Sequence, residues 1–309
     1  MSVSDIIDDY IKPWFPWIIF TYQFIALVNI FGNLLTIIAY IKTDTLRTPT
    51  NFLICNQTVL DLLLSIDAQP FIWLSYTAWG VKKALNNKWL CLLSMFSSRI
   101  TLVASIIALM LLSVERSVAI FFPFRYYTLV NDANVRKAII TSWLLSLIVN
   151  CPPLFGWNTW RLGTLCFVQY IYPTAYNVSV YTLFCISCFI ITALMNIGIA
   201  VVALKKSRSV NPGTITNPEA NQTVDTGSFK ITKMLLKVVG VFYLCWMPYL
   251  ILTIYYIYAA TATMPTWFQV THEFSKCMLG LNSVFNPLIY AYGNPQFKMA
   301  FKRLFRMNQ

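Results

Sequence analysis

Apolar stretches, most of them longer than 20 residues, recur along this 309-residue chain and leave few ways to fold it. A helix needs roughly 20 predominantly apolar residues to cross the hydrocarbon core of a bilayer, about 30 Å thick. Within that core each backbone polar group must find its partner inside the protein. Seven stretches read as spans, at residues 17–41, 51–75, 91–122, 136–157, 176–204, 230–258 and 267–292. Only 11% of residues are charged and 58% are hydrophobic, against about 25% charged in an ordinary soluble domain. A soluble fold of this length could not cover so much apolar surface. The fold class expected is an all-α membrane protein, a seven-transmembrane helix bundle over 17–292 with little sequence left for a second module.

The net charge of +12 raises nucleic acid as a partner. That reading is rejected, because the basic residues form no single patch or stripe. Most fall between alternate apolar stretches, among them Lys42, Arg47, Arg125, Arg136, Lys137, Lys205, Lys230, Lys233, Lys298 and Lys302. This is the positive-inside pattern. It puts residues 1–16 outside the cell and the C-terminus inside, at the plasma membrane. Residues 1–16 are acidic and hold no basic leader before an apolar core, so the first span is expected to act as its own insertion signal.

Residues 207–229, with Pro212, Gly213, Pro218 and Gly227 among Ser, Thr and Asn, read as a mobile cytoplasmic loop. In 293–309, Phe297, Phe301, Leu304 and Phe305 alternate with Lys298, Lys302, Arg303 and Arg306 at helical spacing. That pattern predicts an amphipathic helix lying on lipid. Pro70, Pro152–Pro153, Pro248 and Pro287 fall in spans, where proline kinks serve as hinges.

Cys91 and Arg116 stand 25 residues apart, roughly 37 Å of helix. One helix therefore carries Cys91 at its outer rim and the Glu115-Arg116 pair at its inner rim. Cys166 is the other cysteine placed outside, and two outside cysteines in an oxidising space predict a disulfide. The other six lie in apolar stretches as small buried hydrophobes. Asp61 falls near mid-membrane, where a carboxylate is costly and marks function. Asn33, Ser105, Trp246, Asn282, Ser283 and Asn286 are its candidate neighbours.

Glu115-Arg116-Ser117-Val118-Ala119-Ile120-Phe121-Phe122-Pro123-Phe124-Arg125-Tyr126 resembles the D-R-Y-x-A-I-x-x-P-L-x-Y segment of rhodopsin-like (class A) G-protein-coupled receptors. Gly32-Asn33, Leu60-Asp61-Leu62, Trp143, Cys245-Trp246-Met247-Pro248 and Asn282-Ser283-Val284-Phe285-Asn286-Pro287-Leu288-Ile289-Tyr290 match in the right spans and order. The resemblance covers essentially the whole chain. It implies a receptor that takes an extracellular small-molecule or short-peptide ligand and activates a heterotrimeric G protein. Glu115, Arg116, Pro123, Asn286, Pro287 and Tyr290 would form the G-protein switch. Trp246, Pro248 and Phe242 would be the toggle, with Ile106 as a packing relay. Ser98, Arg99, Leu102, Trp246, Tyr249, Lys276 and Gly280 would line the ligand pocket. Asp61, Ser105, Asn282 and Ser283 would hold a sodium ion that favours the inactive state; a hydrogen-bonded polar core is the alternative. No other cofactor is implied, and Asn177 opens an outward glycosylation sequon.

Ser98 stands where amine receptors carry an Asp, and Gly280 where visual pigments carry a lysine, which disfavours both ligand types. Phe155-Gly156-Trp157-Asn158 resembles the same segment of adenosine, melatonin and opsin receptors without choosing among them. Arg99 and Lys276 make an anionic ligand one reading; internal pairing of Arg99 with Asp67 and of Lys276 with Glu273 is the other. A transporter would use Asp61, Asp67 and Arg99 as an ion path, but transporters usually carry an internal repeat and none is visible. An enzyme is disfavoured, since the lone His272 has no catalytic grouping around it.

Overall fold

In a computed structural model the described residues are 3–209, 222–259 and 264–306, and among them there is no strand. Twelve α-helices are described. They are α1 (Val3–Tyr10), α2 (Phe15–Lys42), α3 (Pro49–Tyr76), α4 (Ala78–Asn86), α5 (Lys88–Phe121), α6 (Tyr126–Leu129), α7 (Asp132–Asn150), α8 (Val168–Ile171), α9 (Leu183–Ser209), α10 (Gln222–Ala259), α11 (Thr266–Gly293) and α12 (Pro295–Arg306). Seven of them are long: α2, α3, α5, α7, α9, α10 and α11. A π-helical turn, Tyr176–Thr182, leads into α9.

Length and hydropathy alone qualify four of the described helices as spans: α2, α5, α9 with its leading turn, and α10. The other three carry more polar residues. The bundle resolves this by turning many of them inward, which spares lipid from them. Asn51, Gln57, Thr58 and Asp61 of α3, Ser142, Ser146 and Asn150 of α7, and Asn282, Ser283 and Asn286 of α11 are all buried. α5 is the central helix: 61% of its apolar window is buried, against 33% in α2, α9 and α10. It packs on α3, α4, α7, α9 and α10.

Two expectations need correction. The fourth span was drawn to 157, but α7 stops at Asn150. Pro152 and Pro153 donate no backbone N–H, so the helical hydrogen-bond ladder cannot continue through them. The chain turns there and passes Gly156 at φ 108°, a left-handed conformation that favours glycine. The loop drawn over 207–229 is shorter, because α9 continues to Ser209 and α10 begins at Gln222. Residues 210–221, with Pro212, Gly213 and Pro218, lie outside the described residues.

Pro287 shows how the bundle tolerates a mid-span proline. It has no N–H for the Ser283 carbonyl one turn earlier. Asn33 of α2 donates to that carbonyl at 3.3 Å. A Cβ on Gly32 would sit 3.3 Å from the Pro287 ring, so glycine lets α2 approach. At the end of the bundle where α11 finishes, Asn51 of α3 donates to Gln296 (2.7 Å) and accepts from Asn294 (3.1 Å), tying α12 to the bundle. α12 buries Phe297 and Ala300 and exposes Lys298, Lys302 and Arg303, as its pattern requires.

Candidate functional site

The outer end is built first from a covalent tie. Cys91 at the start of α5 and Cys166 in the loop before α8 form a disulfide, with Cα atoms 5.7 Å apart. It holds the loop over the bundle, where Phe167 meets the rings of Tyr10 and Phe71. Tyr10 closes the other side by donating to the Ser75 carbonyl at 2.9 Å. Burial, and next the nearby Glu273 carboxylate, push its phenol well above the usual range, so it stays a donor.

Arg99 lies two turns deeper in α5 and is 8% exposed. Its guanidinium stacks 3.5 Å from the Tyr181 ring centre and 4.8 Å from that of Tyr172. It donates to Asn177 Oδ1 at 3.2 Å, and its Nε has no partner. Cation–π contact accounts for part of its stabilisation, yet among the described residues no carboxylate pairs with it. The expected pairing with Asp67 is not formed: Asp67 accepts from Thr101 at 2.5 Å. The expected pairing of Lys276 with Glu273 is formed, at 2.6 Å, and Tyr76 also donates to Glu273. The two cations therefore differ: Lys276 is neutralised and Arg99 is not.

Asn177, Gly280 and the start of the fifth span take their places around this end of the bundle. The Asn177 side-chain nitrogen, where a glycan would attach, donates to the Val168 and Tyr172 carbonyls, both at 3.4 Å, within the π-helical turn. A Cβ on Gly280 would press on Ile25 of α2 at 3.0 Å, so glycine at this position also serves the close approach of α2 and α11. Span five has no proline, and the π-helical turn is the local irregularity that sets its register instead. One apolar groove of about 310 Å³ runs beside α11 between Ile25 of α2 and Pro248 of α10, and its lining includes none of the expected pocket residues.

Below Arg99, Trp246 of α10 sits on the helix that Pro248 interrupts. Its ring lies 5.3 Å from Phe242 and 5.2 Å from Phe189 of α9, and Phe189 in turn stacks 5.1 Å from Phe242. Ile106 belongs to the same buried cluster. The three rings on two helices pack as one stack, and Phe189 is the member the sequence motifs do not mark.

At mid-membrane, Asp61 is fully buried. Ser283 donates to its Oδ1 at 2.8 Å, Asn286 to its Oδ2 at 2.7 Å, and Gln57 to Oδ1 at 3.1 Å. Asn29 donates to its main-chain carbonyl at 2.8 Å. Ser105 meets Gln57, at 2.7 Å, rather than Asp61. Asn282 is buried, and its Oδ1 has no partner among the described residues. Of the three residues expected to join Asp61 around an ion, Ser283 alone hydrogen-bonds to it, and Gln57 is the neighbour missed. Its signal was present, since Gln57 precedes Asp61 by four residues on one helix face.

At the inner end, Arg116 is closed against Glu115 through its Nε and one terminal nitrogen, and that nitrogen also donates to Thr50 of α3 at 2.8 Å. Thr50 and Tyr126 each donate to Glu115 Oε1, at 2.8 and 2.7 Å. Burial, then the Glu115 charge, raise the Tyr126 phenol to about 12, so it remains a donor at neutral pH. Pro123 opens the short turn that delivers Tyr126 and leaves Phe124 fully exposed. Tyr290 is fully buried with its ring 6.1 Å from Phe297, and its hydroxyl has no partner among the described residues. A buried unpaired hydroxyl costs about 1–3 kcal/mol. Tyr290→Phe is therefore expected to leave the resting protein as stable as wild type or up to about 2 kcal/mol more stable, measured by heat inactivation in detergent; a clear loss of stability would show that the hydroxyl is bonded.

A family model described as 7 transmembrane receptor (rhodopsin family) matches residues 32–290. Similar proteins include the alpha-1A adrenergic receptor of Oryzias latipes, 29% identical over 90% of this chain and 64% of its own. Others are melanopsin of Branchiostoma belcheri, 27% identical over 95% and 43%, and adenosine receptor A2b of Bos taurus, 25% over 91% and 86%. The chain thus spans less than two thirds of the adrenergic receptor and of melanopsin, and names this varied leave the subfamily open. The matched segment runs from Gly32, against Pro287, to the buried Tyr290 and takes in the Arg116 lock, the Trp246 stack and the Asp61 network, so the chain belongs to the rhodopsin family of seven-transmembrane receptors.

Proposed function

We propose that this chain is a cell-surface receptor with residues 1–16 outside the cell. It binds an extracellular small molecule or short peptide in the outer half of the bundle and activates a heterotrimeric G protein at the cytoplasmic face. The observation that carries the reading is the state of Arg116, buried and held by Glu115, Thr50 and Tyr126 at the inner end of the helix that carries Arg99 near its outer end. The lock has two arrangements, closed or turned toward a partner, and a ligand shifts their populations through its differential affinity. The Trp246–Phe242–Phe189 stack is the mechanical link between the two ends. Phe124 and the segment Pro123–Tyr126 offer the partner an exposed apolar contact, and α12 holds membrane lipid with its basic face. The test is a ligand screen in cells read by several G-protein sensors. Arg116→Ala should abolish most ligand-driven signal at unchanged surface expression, and an undiminished signal would refute the switch.

The ligand class follows from Arg99. A buried guanidinium without an acidic partner is suited to a carboxylate or phosphate. Hydrogen bonds to charged groups are worth about 1.5–3 kcal/mol, so Arg99→Gln should weaken an anionic ligand by roughly tenfold to a hundredfold. Its neutral amide analogue should be nearly unaffected. Equal losses for both would mean that Arg99 shapes the pocket through its tyrosines and reads no charge.

A further inference from the structure

We propose that the Gln57 side-chain amide, rather than a sodium ion, bridges Asp61 and Ser105, so that the resting bundle is indifferent to sodium. The Gln57 nitrogen stands 3.1 Å from Asp61 Oδ1 and 2.7 Å from Ser105 Oγ, and the residue is 1% exposed. A primary amide has two N–H donors, and this one directs both at the oxygens a shared cation would need. An ion between Asp61 and Ser105 requires lone pairs from each turned toward one point. Here the amide nitrogen holds that point and presents protons to it.

The rest of the donor set agrees. Asp61 is met by three neutral side-chain donors, from Gln57, Ser283 and Asn286, which satisfy both of its oxygens. Asn282, the remaining expected ligand, has no hydrogen bond to Asp61 or Ser105, and its Oδ1 has no partner among the described residues. What excludes the ion is the Gln57 nitrogen, which stands between the Asp61 and Ser105 oxygens that a sodium ion held by Asp61, Ser105, Asn282 and Ser283 would share. Gln57 and Asp61 lie one turn apart on α3, so the amide is tethered beside its carboxylate at an effective concentration no ambient ion changes. A dissociable ion makes an equilibrium depend on its concentration; a tethered donor removes that dependence.

The experiment compares heat-inactivation midpoints of the purified full chain in sodium chloride and in N-methylglucamine chloride at equal ionic strength. Wild type should give the same midpoint in both. Gln57→Leu removes the bridging donors, which frees Ser105 of its amide partner and leaves Asp61 Oδ1 with Ser283 as its one side-chain donor. It should gain a sodium-specific rise of a few degrees, and adding Asp61→Asn should erase that rise. Gln57→Met serves as the second variant where Gln57→Leu does not fold. A wild-type midpoint that rises with sodium and loses that response in Asp61→Asn overturns the proposal. So does a folded Gln57 variant as indifferent to sodium as wild type, since the amide would then not be what excludes the ion.

Discussion

Glu115→Ala is expected to lower the stability of the resting receptor and to raise its signalling without ligand. The substitution removes the carboxylate that Arg116, Thr50 and Tyr126 all address. Removing one partner of a buried pair costs about 3–5 kcal/mol, because the remaining charge loses its counter-ion. Arg116 lies at the inner rim and has a way out: its long stem lets the guanidinium reach water or a partner protein. Part of the cost therefore appears as a shift toward the open arrangement, roughly tenfold in population for each 1.4 kcal/mol. Thr50→Val deletes one hydroxyl from the same lock and should act in the same direction with about 1 kcal/mol. Heat inactivation of the purified protein and basal G-protein dissociation, normalised to surface expression, check both. Wild-type values in both measurements for Glu115→Ala would mean that Glu115 does not hold Arg116.

Cys166→Ser should be at least as damaging, by a different route. The disulfide closes a loop of 75 residues, and the chain-entropy relation for a loop of that length gives about 4.5 kcal/mol. The loop it secures carries Phe167, Tyr172 and Tyr176, and the last two face Arg99. Losing the bond frees the roof of the outer half together with the tyrosines around the guanidinium. The expected result is a severe loss of surface expression, read by antibody against an outer epitope on intact cells. The double variant Cys91→Ser with Cys166→Ser should cost no more than either single one, since all three lose one bond. Clearly additive losses would show that the cysteines act separately.

The sequence by itself determined the class of the molecule. Long apolar stretches have one solution in a bilayer, so the seven helices were readable, most of their ends to within a few residues, while α10 begins at Gln222, well before its apolar stretch at 230. Proline marked the hinges of α10 and α11, and the alternation of Phe and Lys in 297–305 marked the surface helix. The one boundary misplaced at a proline, the end of α7, was also local chemistry, given too little weight at Pro152–Pro153. Resemblance marked Glu115, Arg116, Asp61 and Trp246 because those residues stand at recognisable spacings along single helices.

Partnership between helices was decided by the tertiary structure alone. Whether Arg99 meets Asp67 depends on how α5 is rotated against α3, and periodicity does not fix that angle: both residues have the depth to pair, yet Thr101 holds the carboxylate and the tyrosines of the α8–α9 region hold the guanidinium. That Gly280 also gives α2 room beside α11 shows only in the close approach of Ile25. Thr50 and Phe189 carry no motif, since a threonine and a phenylalanine are ordinary in any span, and they become functional only where α3 and α9 bring them to Arg116 and Trp246. A helix satisfies its backbone within itself, so its sequence reports its own existence and depth. A buried side chain is satisfied by whichever neighbour the packing delivers, and that is set by the rotation and crossing of whole helices.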